Sequence, residues 1–139
     1  MRSTTGGSVL VVDAANVVGS RPDGWWKDRA GAAARLIGRL QADSLGFDQV
    51  IVVLEGQARA GAAERRGRLC VVHADADGDT AIVQLCRDLS LTGADLTVAT
   101  ADRGLLDRLQ PWQVTVMGPR QVRDAGGSSR DAVSRNPPG

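Results

Sequence analysis

Five short apolar runs rich in valine mark the chain, near residues 8 to 13, 49 to 54, 69 to 73, 95 to 100 and 113 to 117. Between them the apolar positions switch to helical spacing, and this alternation predicts strand, helix, strand units around a mainly parallel sheet. The runs lack polar alternation, so helices should cover both faces. The first long helix is predicted from about Trp26 to Ala42, where Ala33, Leu36, Ile37 and Leu40 make an apolar stripe and Arg29, Arg35 and Arg39 fall mostly away from it. Leu45 and Gly46 close it. A weaker helix is read from about Ala58 to Arg66, and a stronger one after Asp79 with Ala81, Ile82, Leu85, Cys86 and Leu89 inward. A short helix after Asp102 carries Leu105, Leu106 and Leu109, and Pro111 ends it. Residues 124 to 139 are poor in large apolar side chains and rich in Gly, Ser and Pro, which predicts a disordered tail after a single domain at 5 to 123.

Four of the five strands stop at or near a carboxylate. Val9-Leu10-Val11-Val12 runs into Asp13, Val50-Ile51-Val52-Val53-Leu54 into Glu55, and Leu69-Cys70-Val71-Val72-His73 into Asp75, Asp77 and Asp79; Leu96-Thr97-Val98-Ala99-Thr100 reaches Asp102 two residues on. In a parallel sheet those ends share one edge, where ligands bind at the point at which the strand order reverses. An acidic pocket is therefore expected.

Asp13 directly follows a buried run, where an acid is costly unless something compensates its charge. It either caps a helix or turn or serves a site. Asn16, three residues on, suits orienting Asp13 or holding a phosphate or water, and is also an ordinary turn residue. Asp102 stands where a helix N-cap contributes on the order of 1 kcal/mol, and capping leaves lone pairs for a metal. In Asp75-Ala76-Asp77-Gly78-Asp79-Thr80 the glycine falls too early, and no glutamate follows at the distance a calcium loop requires, which excludes an EF-hand. Asp79 is read as the inward-facing member, Asp77 as the second and Asp75 as solvated. Glu55 either pairs with an arginine such as Arg59 or supports the site from behind the direct ligands. His73 reads as a core or capping histidine.

Two carboxylates about 5 Å apart repel by roughly 3 kcal/mol at an effective dielectric near 20, so three or four together need a cation. Arg103 is placed to supply part of the charge. An all-oxygen set without a second histidine suits Mg²⁺ or Mn²⁺ better than zinc, with Asp13, Asp79, Asp102, Asp77 and Glu55 all open as ligands.

Bulk properties narrow the partners. A chain of 139 residues is the size of one domain, and its net charge of +1 gives no overall basic field, so nucleic-acid binding needs a local patch. Lys27 is the only lysine, which excludes a lysine-rich arm, while arginine makes forked contacts with phosphate. Cys70 and Cys86 lack metal-site spacing and read as packed thiols of a reducing compartment. No run approaches the roughly 18 apolar residues of a membrane span, and the chain reads as soluble and cytoplasmic.

Three segments carry a family likeness. Asp13-Ala14-Ala15-Asn16-Val17 resembles the Asp-x-x-Asn signature of NYN domains, Gly78-Asp79-Thr80-Ala81-Ile82 their Gly-Asp-Asp-x-Ile helix start, and Thr100-Ala101-Asp102-Arg103-Gly104-Leu105 their Thr-Ser/Ala-Asp-Arg-Gly-Leu segment. The match, over about residues 8 to 120, is to the small bacterial YacP-like branch of the PIN/NYN nuclease superfamily. The resemblance implies a three-layer, Rossmann-like PIN fold with a five-stranded sheet, and divalent-metal-dependent cleavage of RNA by a water nucleophile. It also implies Asp13, Asp79 and Asp102 as metal holders, with Asn16 positioning Asp13 or substrate. Thr80 departs from the pattern, standing where relatives often have a second aspartate.

The loop from Gly19 to Arg29 holds Trp25 and Trp26 beside basic residues, and Trp25 suits stacking on an unpaired base, worth about 1 to 3 kcal/mol. Arg59, Arg65, Arg66 and Arg68 form the densest basic segment; Arg59 and Arg65, with Arg103, are the candidates for the RNA backbone. The expected partner is single-stranded RNA, with homo-oligomerisation left open. Other phosphate chemistries fit less well. Ala15 stands where a haloacid-dehalogenase phosphatase needs its second Asp, no lysine follows the fifth strand as a receiver domain requires, and GxGxxG is absent after the first strand. A nucleotide pyrophosphohydrolase and a non-catalytic RNA-binding domain remain as alternatives.

Overall fold

The computed structural model describes residues 7–19, 29–55, 63–74 and 77–122. In chain order the elements are β1 (Ser8–Asp13), α1 (Ala14–Gly19), α2 (Arg29–Ala42), β2 (Gln49–Leu54), β3 (Ala63–Arg66), β4 (Leu69–His73), α3 (Gly78–Ser90), β5 (Asp95–Ala99), α4 (Arg103–Leu109) and β6 (Thr115–Met117). The five expected strands are all present and mutually parallel, in a sheet ordered β3-β4-β2-β1-β5-β6. Period-two alternation splits the central strand between two cores: Leu10 and Val12 pack with α1 and α2, whereas Val9 and Val11 pack with α3 and α4. Both faces are therefore covered, giving three layers. Leu36 and Leu40 anchor α2, Ile82 and Cys86 anchor α3, and Leu105 and Leu109 anchor α4. Burial pushes the Cys86 thiol up to about 11, so it is a packing group, and Cys70 is likewise free.

Three local readings are corrected. The sheet has six strands, because residues 63–66, expected as the end of a helix, form β3 antiparallel to β4. The intervening Gly67-Arg68 loop has Gly67 at φ 62°, the left-handed start that a tight two-residue hairpin takes from glycine. Residues 14–19, ahead of the first helix read from about Trp26, form a short helix. The third helix begins at Gly78, with Asp77 as its cap, so Asp79 lies in the first turn. Trp26 and the tail from 124 to 139 lie outside the described residues, and among those described no helix is long and apolar enough to cross a membrane.

Candidate active site

Strand order changes direction around β1, with β2 on one side and β5 on the other, and the parallel register brings the carboxyl ends of these strands to one edge. Asp13 closes β1 and is 5% exposed. Its Oδ2 accepts a hydrogen bond from the Thr100 hydroxyl at 3.0 Å, and its Oδ1 accepts from the Asn16 backbone N–H at 3.4 Å. Thr100, itself buried, accepts in turn from the Asp102 N–H at 3.1 Å. One hydroxyl thus joins the acid of β1 to the loop that presents the acid of α4.

Asn16 makes a second link across the same gap, its Oδ1 accepting from the Ala101 N–H at 2.9 Å. Because a backbone N–H only donates, this bond fixes which side-chain atom faces it and leaves the Asn16 amide nitrogen as the donor to offer elsewhere. Asp102 caps α4, accepting from the Leu105 N–H at 3.2 Å, and Asp77 caps α3, accepting from the Thr80 N–H at 2.7 Å. Glu55 reaches from the end of β2 to accept from the Gly78 N–H at 3.1 Å. A side chain at position 78 would crowd it, since an added Cβ meets Glu55 Cγ and Oε2 at 3.1 Å each.

The charges interact. Burial holds the Asp13 carboxyl above its ordinary value of 3.8, against the lowering effect of the Thr100 and Asn16 hydrogen bonds, and the Asp79 and Glu55 charges push the same way as burial. Asp79 is raised chiefly by desolvation, then by Asp102, Asp77 and Glu55, with Arg108 opposing. Asp77 is lowered by its bonds from Thr80, with Arg108 assisting. The acids expected at this edge therefore feel one another through space. The cation acting on Asp77 and Asp79 is Arg108, in the last turn of α4, while Arg103 is exposed at its first position.

A hard divalent cation fits the chemistry of this donor set, which is all oxygen, with a buried carboxylate compensated by hydrogen bonds alone. The acids are not gathered to ligating distance: among the described residues no three His, Cys, Asp or Glu side chains could hold an ion as they stand. Asp77, Asp102 and Glu55 each give an oxygen to a backbone N–H, which leaves the other oxygen of each carboxylate.

Trp25, Arg59 and Asp75 lie outside the described residues, and for Arg65 only the backbone, paired with Cys70 in β3, is described. His73 ends β4 half-buried. Two site residues escaped sequence reasoning as individual candidates. Thr100 had a signal, its place between a buried strand and Asp102; Arg108, six residues beyond Asp102, had none.

No family model and no curated protein matches the sequence. Among solved structures the chain is similar to Rae1 (YacP) from Bacillus subtilis, with a TM-score of 0.71 at 19% identity over 94% of this chain and 80% of that one. A single-substitution variant of the same protein gives 0.71 and 19% over 92% and 79%. The likeness is one of fold, and the chain has a YacP-like α/β fold.

Proposed function

We propose that the chain is a divalent-metal-dependent ribonuclease that hydrolyses RNA phosphodiester bonds at the carboxyl edge of its sheet. The observation that carries this reading is the buried Asp13 at the reversal of strand order, tied through Thr100 to the loop of Asp102 and within reach of the Asp79 charge. The fold shared with Rae1 (YacP) supports it, as does the family likeness of the three motifs that supply these residues. Asp13, Asp79 and Asp102 would hold Mg²⁺ or Mn²⁺, with Asp77 and Glu55 behind them. The ion, when bound, neutralises charge on the phosphate and lowers the pKa of water.

The chain's own groups do the rest. Asn16, with its oxygen held by Ala101, offers its amide N–H₂ to a non-bridging phosphate oxygen. Water attacks the phosphorus, the bond to the 3′ oxygen breaks, and the products are a 5′-phosphate and a 3′-hydroxyl. Thr100 keeps Asp13 fixed and ionised throughout by donating to Oδ2. Single-stranded RNA is the substrate form we assign, with Trp25, Arg59, Arg65 and Arg103 as backbone and base contacts, in the cytoplasm.

The test is incubation of the purified protein with labelled single-stranded RNA and Mn²⁺ beside Asp13→Asn. Cleavage by the parent and none by the variant is expected. Equal cleavage by both would overturn the role of Asp13. RNA bound but uncut by the parent would make this a binding domain, and turnover of nucleoside triphosphates alone would make it a pyrophosphohydrolase.

A further inference from the structure

An edge rich in carboxylates repels the polyanion it is proposed to cut, so the site needs a cation of its own facing the substrate. Arg103, already assigned to the RNA, leaves α4 roughly 200° around from buried Leu105. Arg108 differs. It is exposed, stands four residues after Gly104, and belongs to the same flank of the helix. Long helical side chains lean back over the preceding turn, toward the helix N-terminus. For Arg108 that turn is Gly104, where Asp102 Oδ1 lies 3.4 Å from the place a Cβ would take, and the N-terminus is the end where Asp102 caps α4. The Arg108 stem therefore leans from the last turn of α4 toward the acid edge. Its positive charge is felt by both Asp77 and Asp79 at the start of α3, across the contact between the two helices. It forms no ion pair among the described residues.

We infer that Arg108 is a substrate-binding residue that grips an RNA phosphate next to the acid edge. The inference rests on the ribonuclease reading and adds to it the group that admits a polyanion to an acidic site. A guanidinium suits this role because it makes two parallel hydrogen bonds to phosphate oxygens and stays charged at any working pH.

The test uses the full chain with Asp13→Asn added to prevent cleavage, and measures binding of a labelled single-stranded RNA as salt is raised. Arg108→Ala should weaken binding by about tenfold, the lower end for a hydrogen bond to a charged group. It should also reduce the slope of log affinity against log salt by about 0.7, the value of one phosphate contact on a single strand. Gly104→Glu, which sets a carboxylate one turn before Arg108 and pairs with it, should produce the same two changes, while Arg108→Lys should recover part of the affinity. Unchanged affinity and slope in Arg108→Ala, with the parent still binding and cleaving RNA, would overturn this inference and leave the ribonuclease reading standing. A parent that neither binds nor cleaves RNA would overturn both. A variant altered only in Mn²⁺ affinity would show that Arg108 serves the acids alone, which also overturns it.

Discussion

At the scale of single residues, Asp13 and Thr100 form a unit whose two members have separable effects. Asp13 is held above 3.8 by burial, so the folded chain takes up its proton more readily than the unfolded chain does. Stability from this group is fully present below 3.8 and is lost as pH rises through the folded value; Asp79 works in the same direction. Asp77, lowered by its capping bonds, works oppositely, contributing above 3.8 and losing that contribution as pH falls through its folded value. Asp13→Asn, in the presence of a chelator, should therefore melt above the parent at pH 7, with the gap closing as pH is brought down toward 3.8. Thermal melts across that range check it, and a parent that stays the more stable at pH 7 contradicts the cost assigned to the buried charge. Thr100→Val should act otherwise. It strands Asp13 Oδ2 and the Asp102 N–H together, so it should cost about 1.5 to 3 kcal/mol in denaturant titration and move the Asp13 carboxyl further up, whereas Thr100→Ser should retain most of both properties.

At the scale of elements, capping and ion binding can be pulled apart at Asp102. Asparagine caps a helix about as well as aspartate, so Asp102→Asn should hold stability within about 0.5 kcal/mol while lowering Mn²⁺ affinity, and Asp102→Ala should lose the affinity and about 1 kcal/mol as well. Calorimetric Mn²⁺ titration beside denaturant melts distinguishes the two. The latch between Glu55 and Gly78 gives a second test. Gly78→Ala should destabilise the parent but do less harm in a Glu55→Ala background, where the three atoms nearest the new Cβ are gone, with a coupling of about 0.5 to 3 kcal/mol; purely additive losses would argue against the latch. The same scale explains what was legible in the sequence. Strands buried on both faces must be continuously apolar, so the valine runs gave away β1, β2, β4 and β5 and, with them, the edge at which their carboxyl ends lie. Ala63-Glu64-Arg65-Arg66 carries no such run; β3 stands at the end of the sheet, paired to β4, and three charged residues in four suit a helix equally well. The readable clue was the Gly67-Arg68 step just before an apolar strand. Residues 14–19 hold an asparagine and two β-branched valines and end in glycine, and they turn helical where Asp13 holds the Asn16 N–H and Val17 and Val18 enter the core. Side-chain direction was the other gap: spacing located Asp77 and Asp79, but only the start of α3 at Gly78 shows that Asp77 is the cap.

For the whole molecule, the candidate ligands come from parts of the chain distant in sequence: Asp13 at the end of β1, Asp79 in the first turn of α3 and Asp102 ahead of α4. They are joined by hydrogen bonds on one side, Asp13 to Thr100 and Asn16 to Ala101, while Asp79 meets them only through repulsion. An ion shared by the three would replace that repulsion with attraction and tie α3 to the β1 and β5 edge. The unfolded chain scatters these groups and has no comparable site, so binding should stabilise the fold by mass action, by about 2.7 kcal/mol at a hundredfold excess over the dissociation constant. For a domain of this size that corresponds to a rise in melting temperature of roughly 10 °C. The rise should be smaller at pH 5 than at pH 7, because Asp13 and Asp79 are both raised and protons compete with the ion for them. It should be reversed by chelation, absent in Asp13→Asn, and accompanied by slower amide exchange in the first turns of α3 and α4 together. Slower exchange in only one of those turns would mean that the ion sits on a single acid pair and does not bridge the edge. An unchanged melting temperature at saturating Mn²⁺ would remove the ion from the proposed reaction while leaving the fold and its hydrogen-bonded Asp13 as they are.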